Sequence, residues 1–241
     1  MRQIFRDRTE AGQLLARELI RFANLPNVIV LGLPRGGVPV AFEVAMALHA
    51  PLDVFVVRKL GAPGQPELAM GAIASGGVCV INDEVVRGLE IPTEAIDAAA
   101  EEAGRELRRR EFAYRSSHSG PDVRGNAVIL IDDGVATGST MRAAIRALYS
   151  LQPDCIIVGV PTGAGSTCRE LREEVDELVA LMTPESFRGV GEWYEDFSQT
   201  SDTEVTDLLD RARRQLASFE SKVIRFAGNT AMSEEEREHH G

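Results

Sequence analysis

The strongest chemical signal in this chain is a run of aliphatic residues that leads into two carboxylates and a hydroxyl-rich loop. The run spans residues 128–140 and reads VILIDDGVATGST. Asp132 and Asp133 offer carboxylate oxygens, which suit sugar hydroxyls or a hydrated Mg²⁺. Residues 137–140 offer backbone N–H groups and three hydroxyls at the predicted start of a helix, a position that favours anions. The pattern predicts one loop that binds a phosphate at one end and a polyol at the other.

The elements around this loop place it at an edge where ligands bind. Residues 128–131 are a continuous apolar run before turn residues, which predicts a strand buried on both faces of a parallel sheet. Residues 141–149 read as the helix that follows the strand. A loop between such a strand and helix lies at the carboxyl edge of an open α/β sheet, where this fold class binds its ligands.

Strands alternate with helices along the chain, and this alternation predicts an α/β fold with an open parallel sheet flanked by helices. Apolar runs and helical periodicity predict strands at 27–33, 52–57, 128–131, 155–160 and 177–182, and helices at 7–22, 38–49, 93–115, 141–149, 163–174 (after a turn) and 202–217. Gly76 and Gly77 predict the turn of a β-hairpin over residues 72–82. The domain is expected to span residues 1–217, followed by a tail, 218–241, whose polar end is predicted to be disordered.

The run at 128–140 resembles the phosphoribosyl pyrophosphate (PRPP) signature of type I phosphoribosyltransferases, and we call residues 132–140 the signature loop. Both sequences have hydrophobic residues, two acids, a short spacer, and then Thr-Gly with small hydroxyl residues. The likeness covers about residues 1–210 and is nearest to a bacterial group of predicted phosphoribosyltransferases. It implies the type I fold with a small hood, and transfer of the phosphoribosyl group from PRPP to a nitrogenous base, with Mg²⁺ as cofactor. By the same resemblance, the residues that bind PRPP are Asp132, Asp133, Gly134, Ala136, Thr137, Gly138, Ser139 and Thr140.

A second small-residue loop, residues 31–38 with the sequence LGLPRGGV, follows the first predicted strand. Gly36 and Gly37 let the backbone approach an anion, and Arg35 brings a guanidinium with several fixed donors. Paired glycines are common in turns of this kind, so the loop is informative mainly as the partner of the signature loop. The resemblance implies that residues 34–37, here called the pyrophosphate loop, bind the pyrophosphate of PRPP and contain a strained or cis peptide.

Arg58 and Lys59 end the second predicted strand, and a segment rich in glycine and proline follows them. Two cations at the carboxyl edge of the sheet can neutralise the charge that builds on a departing pyrophosphate. Adenine and orotate phosphoribosyltransferases carry a similar pair before a mobile loop. The resemblance therefore implies a lid at 60–74 that is mobile in the free protein, with Glu67 placed to assist a proton transfer. A pair of solvated surface cations is the alternative.

Residues 183–197, with the sequence TPESFRGVGEWYEDF, are rich in aromatic side chains. They are similar to a stretch of hypoxanthine-guanine phosphoribosyltransferases, and imply a hood and base pocket at about 183–200. If the roles in that stretch are carried over position by position, Phe187 stacks on a planar base. Asp196 then lies near the metal together with the two signature carboxylates. Such stacking contributes about 0.5–1.5 kcal/mol beyond the burial of area. The alternative is that these aromatic side chains pack the end of the sheet.

Ala136 is a departure from hypoxanthine-guanine enzymes, which carry an Asp just before the Thr-Gly of the signature. Alanine agrees with the adenine-type signature and leaves no obvious general base, so the accepted base is not identified. Two functions therefore stay open: a phosphoribosyltransferase, and a regulatory protein that binds PRPP without turnover. Arg35, Lys59 and the lid favour the enzyme, because a sensor needs only the signature loop. An unrelated sugar-phosphate enzyme fits the anion loop but not the paired acids.

The composition argues against several classes of protein. A formal net charge of −11 argues against a nucleic-acid-binding surface. No apolar run approaches about 18 residues, and no apolar targeting segment lies near the start of the chain. Neither membrane insertion nor secretion is therefore expected. The expected location is the cytoplasm. Three cysteines without paired spacing fit free thiols in a reducing compartment, and the family resemblance adds an expected homodimer.

Overall fold

The computed structural model describes the backbone of residues 4–115 and 121–238, and the side chains within these ranges except those of 66, 67, 220 and 222–238. The described strands are β1 (Val28–Gly32), β2 (Leu52–Val54), β3 (Val57–Ala62), β4 (Gln65–Ala74), β5 (Val78–Ile81), β6 (Ala127–Ile131), β7 (Cys155–Thr162) and β8 (Glu177–Met182). The described α-helices are α1 (Arg8–Leu19), α2 (Gly37–Leu48), α3 (Asp83–Gly88), α4 (Thr93–Arg115), α5 (Ser139–Ser150), α6 (Gly165–Arg172) and α7 (Asp202–Glu238). Short 3₁₀ helices are formed by Ile20–Phe22 and Val190–Trp193.

The strands form two separate sheets. Five strands make a parallel sheet in the order β2-β1-β6-β7-β8, and three make a small antiparallel sheet in the order β3-β4-β5. The predicted α/β fold, an open parallel sheet flanked by helices, is confirmed by the larger sheet. Its strands β1 and β6 are neighbours, and Gly32 lies opposite Ile131 at their carboxyl ends. The loops that follow these two strands therefore start side by side.

The parallel sheet is buried on both faces because successive residues of a strand point to opposite sides. Val28 and Val30 of β1 enter a core with α1, α2, α4 and α7. Ile29 and Leu31 enter a second core with α5 and α6. Every residue of β1 is buried, which explains why continuous apolar runs mark these strands in the sequence.

Several predicted elements begin and end where the sequence signals place them. Asp7 caps α1, since its carboxylate accepts a hydrogen bond from Glu10 N–H at 2.8 Å, and the Glu10 carboxylate accepts one from Arg6 N–H at 2.6 Å. The helix predicted at 93–115 matches α4 at both ends. The hairpin predicted over 72–82 is also confirmed, because β4 and β5 pair across a two-glycine turn.

The last helix, α7, is longer than predicted. It begins at Asp202 and continues to Glu238, well past the predicted end at residue 217. The disorder predicted for the end of the tail stays a prediction, because the side chains from 222 onward and residues 239–241 lie outside those described. Within the described residues, no helix combines the length and the apolar character needed to cross a membrane.

The small antiparallel sheet is where the structure differs most from the prediction. The second predicted strand, 52–57, ends early, since β2 stops at Val54. Phe55 still donates its N–H to the carbonyl oxygen at the end of β1 at 3.0 Å. Val56 then donates its N–H to Ser75 Oγ at 2.9 Å. The chain therefore leaves the parallel sheet at this point and enters the second sheet.

The segment predicted as a loop rich in glycine and proline is instead the hairpin of β3 and β4. Only Pro63 and Gly64 form its turn, where Gly64 has a positive φ of 74°. Leu60 and Met70 are buried in the core that includes α4. The expectation that residues 60–74 have little to bury is therefore wrong, whereas the mobility of the lid stays a prediction.

Candidate active site

The pyrophosphate loop and the signature loop lie against each other at the carboxyl ends of β1 and β6. A Cβ atom added to Gly36 would overlap Oδ2 of Asp133. A Cβ atom added to Gly37 would lie 2.9 Å from Cα of Asp132. Only glycine leaves room for so close an approach. The paired glycines of the sequence therefore serve the contact between the two loops.

The two signature carboxylates are partly buried, and each has one oxygen held by the protein. Oδ1 of Asp132 accepts a hydrogen bond from Asp133 N–H at 2.9 Å. Oδ2 of Asp133 accepts one from Arg8 Nε at 2.8 Å, and Arg8 Nη2 also lies 2.8 Å from that oxygen. The remaining oxygen of each carboxylate accepts no hydrogen bond from another described residue. Two carboxylate oxygens are thus available to a ligand.

Burial raises the pKa of both carboxyls, because removal from water disfavours the charged form. The pKa of Asp132 lies well above its usual value for this reason, and the negative charge of Asp133 raises it further. The pKa of Asp133 is also raised by burial, while the Arg8 guanidinium acts against the rise. Mg²⁺ commonly binds through one or two carboxylates and takes its other ligands from water and substrate phosphates. The charge and oxygen chemistry of this pair fit such an ion.

Residues 137–140 form a turn at the N-terminus of α5. Gly138 has a positive φ of 73°, and the helix begins at the next residue. The N–H groups of Gly138 and Thr140 donate to no backbone acceptor among the described residues. The hydroxyls belong to the exposed residues Thr137, Ser139 and Thr140. Free N–H groups at the positive end of a helix, with hydroxyls beside them, form a site suited to a phosphate.

Side chains from α5 and α6 hold this turn from the protein side. Arg142 Nη1 donates to the carbonyl oxygen of Thr137 at 3.0 Å. Thr167 Oγ1 donates to the carbonyl oxygen of Ala136 at 2.7 Å. Two glutamates at and just after the end of α6 bind the Arg142 guanidinium, at 2.5 and 2.8 Å. The carbonyl groups of Ala136 and Thr137 are therefore engaged, which leaves the N–H groups of Gly138 and Thr140 for a ligand. The Thr137 hydroxyl donates to Ser139 Oγ at 3.4 Å and accepts a hydrogen bond from Ser139 N–H at 3.5 Å.

Arg35 is the cation of the pyrophosphate loop. Its partly buried guanidinium forms no hydrogen bond or ion pair within the part of the chain that the structure describes. Its carbonyl oxygen accepts a hydrogen bond from Val38 N–H at 3.2 Å, and the peptide bond between Pro34 and Arg35 is cis, as predicted. An arginine without an internal counter-charge has its full set of donors available to an anion.

The two cations predicted to act together lie on opposite faces of the small sheet. They are consecutive residues of β3, so their side chains alternate. Arg58 faces α4, where its Nη1 is 3.8 Å from Glu106 Oε1. Lys59 is exposed and lines a cavity of about 200 Å³ together with Ser139. Neither residue ends a strand of the parallel sheet, so that prediction is wrong, and only Lys59 stays beside the signature loop.

The predicted lid acid, Glu67, falls in β4, and its side chain lies outside the described residues. Its role in proton transfer therefore stays a prediction. The described part of the lid differs from a free loop, because β3 and β4 pair from Val57 with Ala74 to Ala62 with Gln65. The hairpin carries Lys59 toward α5 on a strand rather than on a loop.

The aromatic side chains of the predicted hood pack mainly against the protein. Trp193 and Tyr194 are buried beside Phe5 in a small apolar cluster. Phe187 is partly buried against the same cluster, and its ring is nearly parallel to that of Trp193, with centroids 6.4 Å apart. Trp193 therefore packs against the protein, as the alternative expected. Base binding by Phe187 stays a prediction.

The hood also supports the signature loop. The Tyr194 hydroxyl donates to the carbonyl oxygen of Asp133 at 2.6 Å. Burial raises the pKa of Tyr194 far above its usual value, and the nearby Asp133 charge adds to the rise, so the phenol keeps its donor proton. A Cβ atom at Gly134 would lie 2.5 Å from Cγ1 of Val190 in the hood. The hood and the signature loop are thus one packed unit.

Asp196, the third predicted metal ligand, is exposed. Its carboxylate accepts a hydrogen bond from Ser198 N–H at 2.9 Å, which lowers its pKa. Among the side chains that the structure describes, no three from His, Cys, Asp or Glu are grouped as a metal site. The structure therefore brings Asp132 and Asp133 together, but it does not bring Asp196 into a three-carboxylate site with them.

Sequence reasoning missed Arg8, which joins the N-terminal helix, the signature loop and the hood. Besides the contact with Asp133, its Nη1 donates to the carbonyl oxygen of Ser198 at 2.8 Å. The guanidinium carbon lies 4.0 Å from the centroid of the Phe197 ring. Arg8 is 125 residues from Asp133 in the chain, and no pattern around it marks a ligand-binding role. Only the tertiary structure reveals this contact.

Comparison with known proteins connects this geometry to a family. The family model described as the phosphoribosyl transferase domain matches residues 6–192. A curated protein of Mycobacterium tuberculosis, provisionally named a phosphoribosyl transferase, is 45% identical over 234 residues. The match covers 97% of this chain and 52% of that protein. The chain thus spans about half the length of the curated relatives represented by this protein.

Two further proteins are similar to this chain. The crystal structure of TT1426 from Thermus thermophilus is 40% identical with a TM-score of 0.78, and the alignment covers 86% of this chain and 97% of that one. A hypoxanthine/guanine phosphoribosyltransferase of Methanosarcina acetivorans is 24% identical over 169 residues, covering 70% of this chain and 69% of that protein. The family match includes both site loops and most of the hood. The chain therefore belongs to the phosphoribosyl transferase family.

Proposed function

We propose that the protein transfers the phosphoribosyl group of PRPP to a nitrogenous base and releases pyrophosphate, with Mg²⁺ as cofactor. The observation that carries this proposal is the contact between the pyrophosphate loop and the signature loop, where Gly36 lies directly against the Asp133 carboxylate. A pair of carboxylates thus has an anion-binding loop on either side. PRPP has the matching order of groups, because its ribose hydroxyls lie between a 5′-phosphate and a pyrophosphate.

Each part of PRPP has a proposed partner. The N–H groups and hydroxyls of residues 137–140 bind the 5′-phosphate. The free carboxylate oxygens of Asp132 and Asp133 accept hydrogen bonds from the ribose hydroxyls. Arg35 and the backbone of the pyrophosphate loop bind the pyrophosphate, which suits a guanidinium that has no internal partner among the described residues. This arrangement orients C1 of the ribose toward an incoming base.

The proposed reaction breaks the bond from C1 of the ribose to a pyrophosphate oxygen and forms a bond from C1 to a nitrogen of the base. Its transition state has oxocarbenium character, so positioning and charge stabilisation matter more than a protein nucleophile. Asp132 and Asp133 would hold Mg²⁺, whose charge offsets that of the leaving pyrophosphate. Lys59 is proposed to stabilise the same charge, as the family resemblance implies, although the site residue that shares its cavity is Ser139 of the turn proposed to bind the 5′-phosphate.

The base itself is the open part of this proposal. Phe187 is proposed to contact it, and a purine is the candidate class because the hood is similar to that of hypoxanthine-guanine enzymes. Ala136 supplies no acid to a purine N7, and its carbonyl oxygen is already bound by Thr167 Oγ1. A cytoplasmic location and a homodimer stay predictions from the sequence.

A second candidate is a regulatory protein that binds PRPP without turnover, and Ala136 is the residue that favours it. Alanine at this position removes the obvious general base of the hypoxanthine-guanine signature, and the remaining acids of the loop, Asp132 and Asp133, are assigned to the ribose and to Mg²⁺. Lys59 beside the signature loop and an Arg35 side chain without a partner among the described residues favour the enzyme. The two candidates share the PRPP site and differ only in release of pyrophosphate.

The test combines binding with turnover. Purine and pyrimidine bases are incubated one at a time with PRPP and Mg²⁺, and pyrophosphate release is followed. We expect release with at least one base, and we expect the double variant Asp132→Asn, Asp133→Asn to fold and to bind PRPP about a hundredfold more weakly or worse, since hydrogen bonds to charged groups are lost. Asp207→Asn, an exposed carboxylate on α7, is the control.

The outcomes separate the candidates. PRPP binding without pyrophosphate release for any base would support the regulatory protein. Calorimetry that shows the same PRPP affinity in the double Asn variant and the parent would contradict the assignment of the site, whichever candidate is correct.

A further inference from the structure

Arg8 contacts Asp133, Ser198 and the Phe197 ring at the site, and the proposed function assigns it no role. Its side chain is 12% exposed and that of Asp133 is 13% exposed, so this is not a solvated surface pair. We infer that Arg8 is a positioning residue that fixes the Asp133 carboxylate and presents its Oδ1 oxygen to a ribose hydroxyl of PRPP. The inference rests on the proposed function, which it deepens.

The contacts around Asp133 enclose one of its oxygens. Nε and Nη2 of Arg8 both lie 2.8 Å from Oδ2. On another side, Gly36 approaches Oδ2 so closely that a Cβ atom there would overlap it, and the same atom would lie 3.3 Å from Arg8 Nε. Oδ2 is therefore held between a guanidinium and the pyrophosphate loop. The carboxylate can offer a ligand only its other oxygen, Oδ1.

Arg8 is itself held in this orientation by the hood. Its Nη1 donates to the carbonyl oxygen of Ser198 at 2.8 Å. Its guanidinium carbon lies 4.0 Å from the ring centroid of Phe197 and 5.9 Å from that of Tyr194. A planar cation stacked on an aromatic ring loses less freedom when it forms hydrogen bonds in its plane. The hood thus sets the direction from which Arg8 grips Asp133.

Asp132 shows the same division between a held oxygen and a free one. Its Oδ1 accepts a hydrogen bond from Asp133 N–H at 2.9 Å, and Oδ2 accepts none from the described residues. The pair therefore presents one free oxygen from each carboxylate. The two adjacent hydroxyls of a ribose require two acceptors. Arg8 holds one oxygen of the Asp133 carboxylate, just as the Asp133 N–H holds one oxygen of the Asp132 carboxylate.

Arg8 is expected to act through Asp133 rather than on the ligand. Each of its three nitrogens already faces Asp133 or Ser198. If Arg8 only stabilised the fold, its substitution would change the free energy of unfolding. Its effect on PRPP affinity would then not depend on whether residue 133 is Asp or Asn. A double-mutant cycle separates these roles, because residues that act as a unit have non-additive effects.

The experiment measures PRPP binding by calorimetry in the presence of Mg²⁺, with unfolding followed separately. Arg8→Gln is expected to weaken PRPP binding about tenfold or more. In the Asp133→Asn background the same change is expected to alter affinity less than about twofold. Arg8→Lys keeps the charge but cannot place two N–H groups on one oxygen while stacking, so partial rescue is expected. Arg6→Gln, an exposed neighbour with the same loss of charge, is the control and should bind PRPP like the parent.

Each alternative outcome has a distinct meaning. Unchanged PRPP affinity in Arg8→Gln, with a parent protein that binds PRPP, would overturn the role of Arg8 and leave the proposed function standing. Equal losses in the parent and Asp133→Asn backgrounds would overturn the action through Asp133. If Arg8→Gln fails to fold, Arg8→Lys in both backgrounds answers the same question, and parental affinity would overturn the inference. A parent that does not bind PRPP would overturn the proposed function and this inference with it.

Discussion

The edge of the parallel sheet and the small antiparallel sheet bring different kinds of residue to the same site. At the edge, the two anion loops touch so closely that Gly36 and Gly37 have no room for a side chain. On the small sheet, Lys59 is exposed, and a Cβ atom at the turn residue Gly64 would meet no atom within 4 Å. The comparison indicates that the part proposed to bind ribose and phosphates is tightly packed, while the part proposed to meet the leaving group is open.

The two regions also differ in what their charges do to stability. Asp132 and Asp133 are partly buried side by side, and burial raises both pKa values. Their ionised forms therefore destabilise the folded protein until a ligand compensates them. Lys59, by contrast, is exposed to solvent on the small sheet. Proteins commonly retain such a cost at a site where the charge is needed for function.

The largest expected effect comes from filling the contact at the edge of the parallel sheet. Gly36→Ala places a methyl group where Oδ2 of Asp133 lies, so the carboxylate must move. We expect PRPP binding to fall about a hundredfold or more, through loss of charged hydrogen bonds, and stability to fall by about 1–3 kcal/mol. Calorimetry and denaturant unfolding measure the two effects.

Gly189→Ala is the matched control for this change, because its Cβ atom would meet nothing within 4 Å and its φ of −178° suits any residue. Parental PRPP affinity in Gly36→Ala would show that the edge is not tightly packed. It would contradict the difference in packing between the two regions.

The next effect concerns the two cations of β3. Lys59→Ala is expected to lower kcat about tenfold to a hundredfold with a smaller change in PRPP binding, because the cation is needed most when the leaving group gains charge. Arg58→Ala is the matched control, since Arg58 faces Glu106 on α4, and it should leave kcat near the parental value. Steady-state kinetics with direct PRPP titration measures both. An equal loss in PRPP binding and kcat/KM with kcat intact would mean that Lys59 only tethers the ligand.

A smaller effect is expected from removing the ionisable group of Asp132, because its charged form destabilises the folded protein. The folded-state pKa of Asp132 is raised above its unfolded value of about 3.9, so the stability of the parent falls as pH rises from about 4 through the folded-state pKa. Asparagine does not ionise, so Asp132→Asn should be more stable than the parent at neutral pH. Each unit of pKa shift corresponds to about 1.4 kcal/mol. Denaturant unfolding across this pH range, without Mg²⁺, measures the difference.

The gain in Asp132→Asn should disappear near pH 3, where Asp132 is protonated in both states. Asp196 is the control of opposite sign, because its pKa is lowered by Ser198, so its contribution to stability is lost as pH falls. A gain in Asp132→Asn that persists unchanged at low pH would show that ionisation is not its cause.

The smallest effect concerns the hairpin of β3 and β4 in the free protein. Leu60 and Met70 are buried and the strands are paired, so we expect slow exchange of the amides that β3 and β4 donate to each other and fast exchange at the turn around Gly64. Hydrogen–deuterium exchange with peptide-level resolution measures this. Fast exchange throughout residues 60–74 would restore the mobile lid expected from the sequence and would make the small sheet even more different from the edge.

Part of the fold was predictable because its signals are local. The strand at β8 has the predicted bounds, and α4 matches at both ends. Continuous apolar runs mark strands buried on both faces, and helical periodicity marks the faces that cover them. The small sheet was not predictable in this way, because β3 and β4 mix glycine, charge and isolated apolar residues. Their burial depends on α4, which lies later in the chain.

The candidate site was predictable to the same degree. The order of strand, acid pair, hydroxyl loop and helix is contained in residues 128–150, and the cis peptide of the pyrophosphate loop followed from family resemblance. Arg8 was not predictable, because an arginine in the first turn of an amphipathic helix is ordinary. The grouping of Arg58 with Lys59 failed, since a strand sends consecutive side chains to opposite faces.

The sequence by itself determined the parallel sheet, its two anion loops and the family, because each depends on neighbouring residues whose types restrict backbone conformation and burial. Only the tertiary structure decided which side chains meet. Arg8 reaches Asp133 across 125 residues, Tyr194 supports the carbonyl oxygen of Asp133, and Lys59 faces α5. Such contacts depend on how whole elements pack, and the packing of distant elements leaves no periodic pattern in the chain.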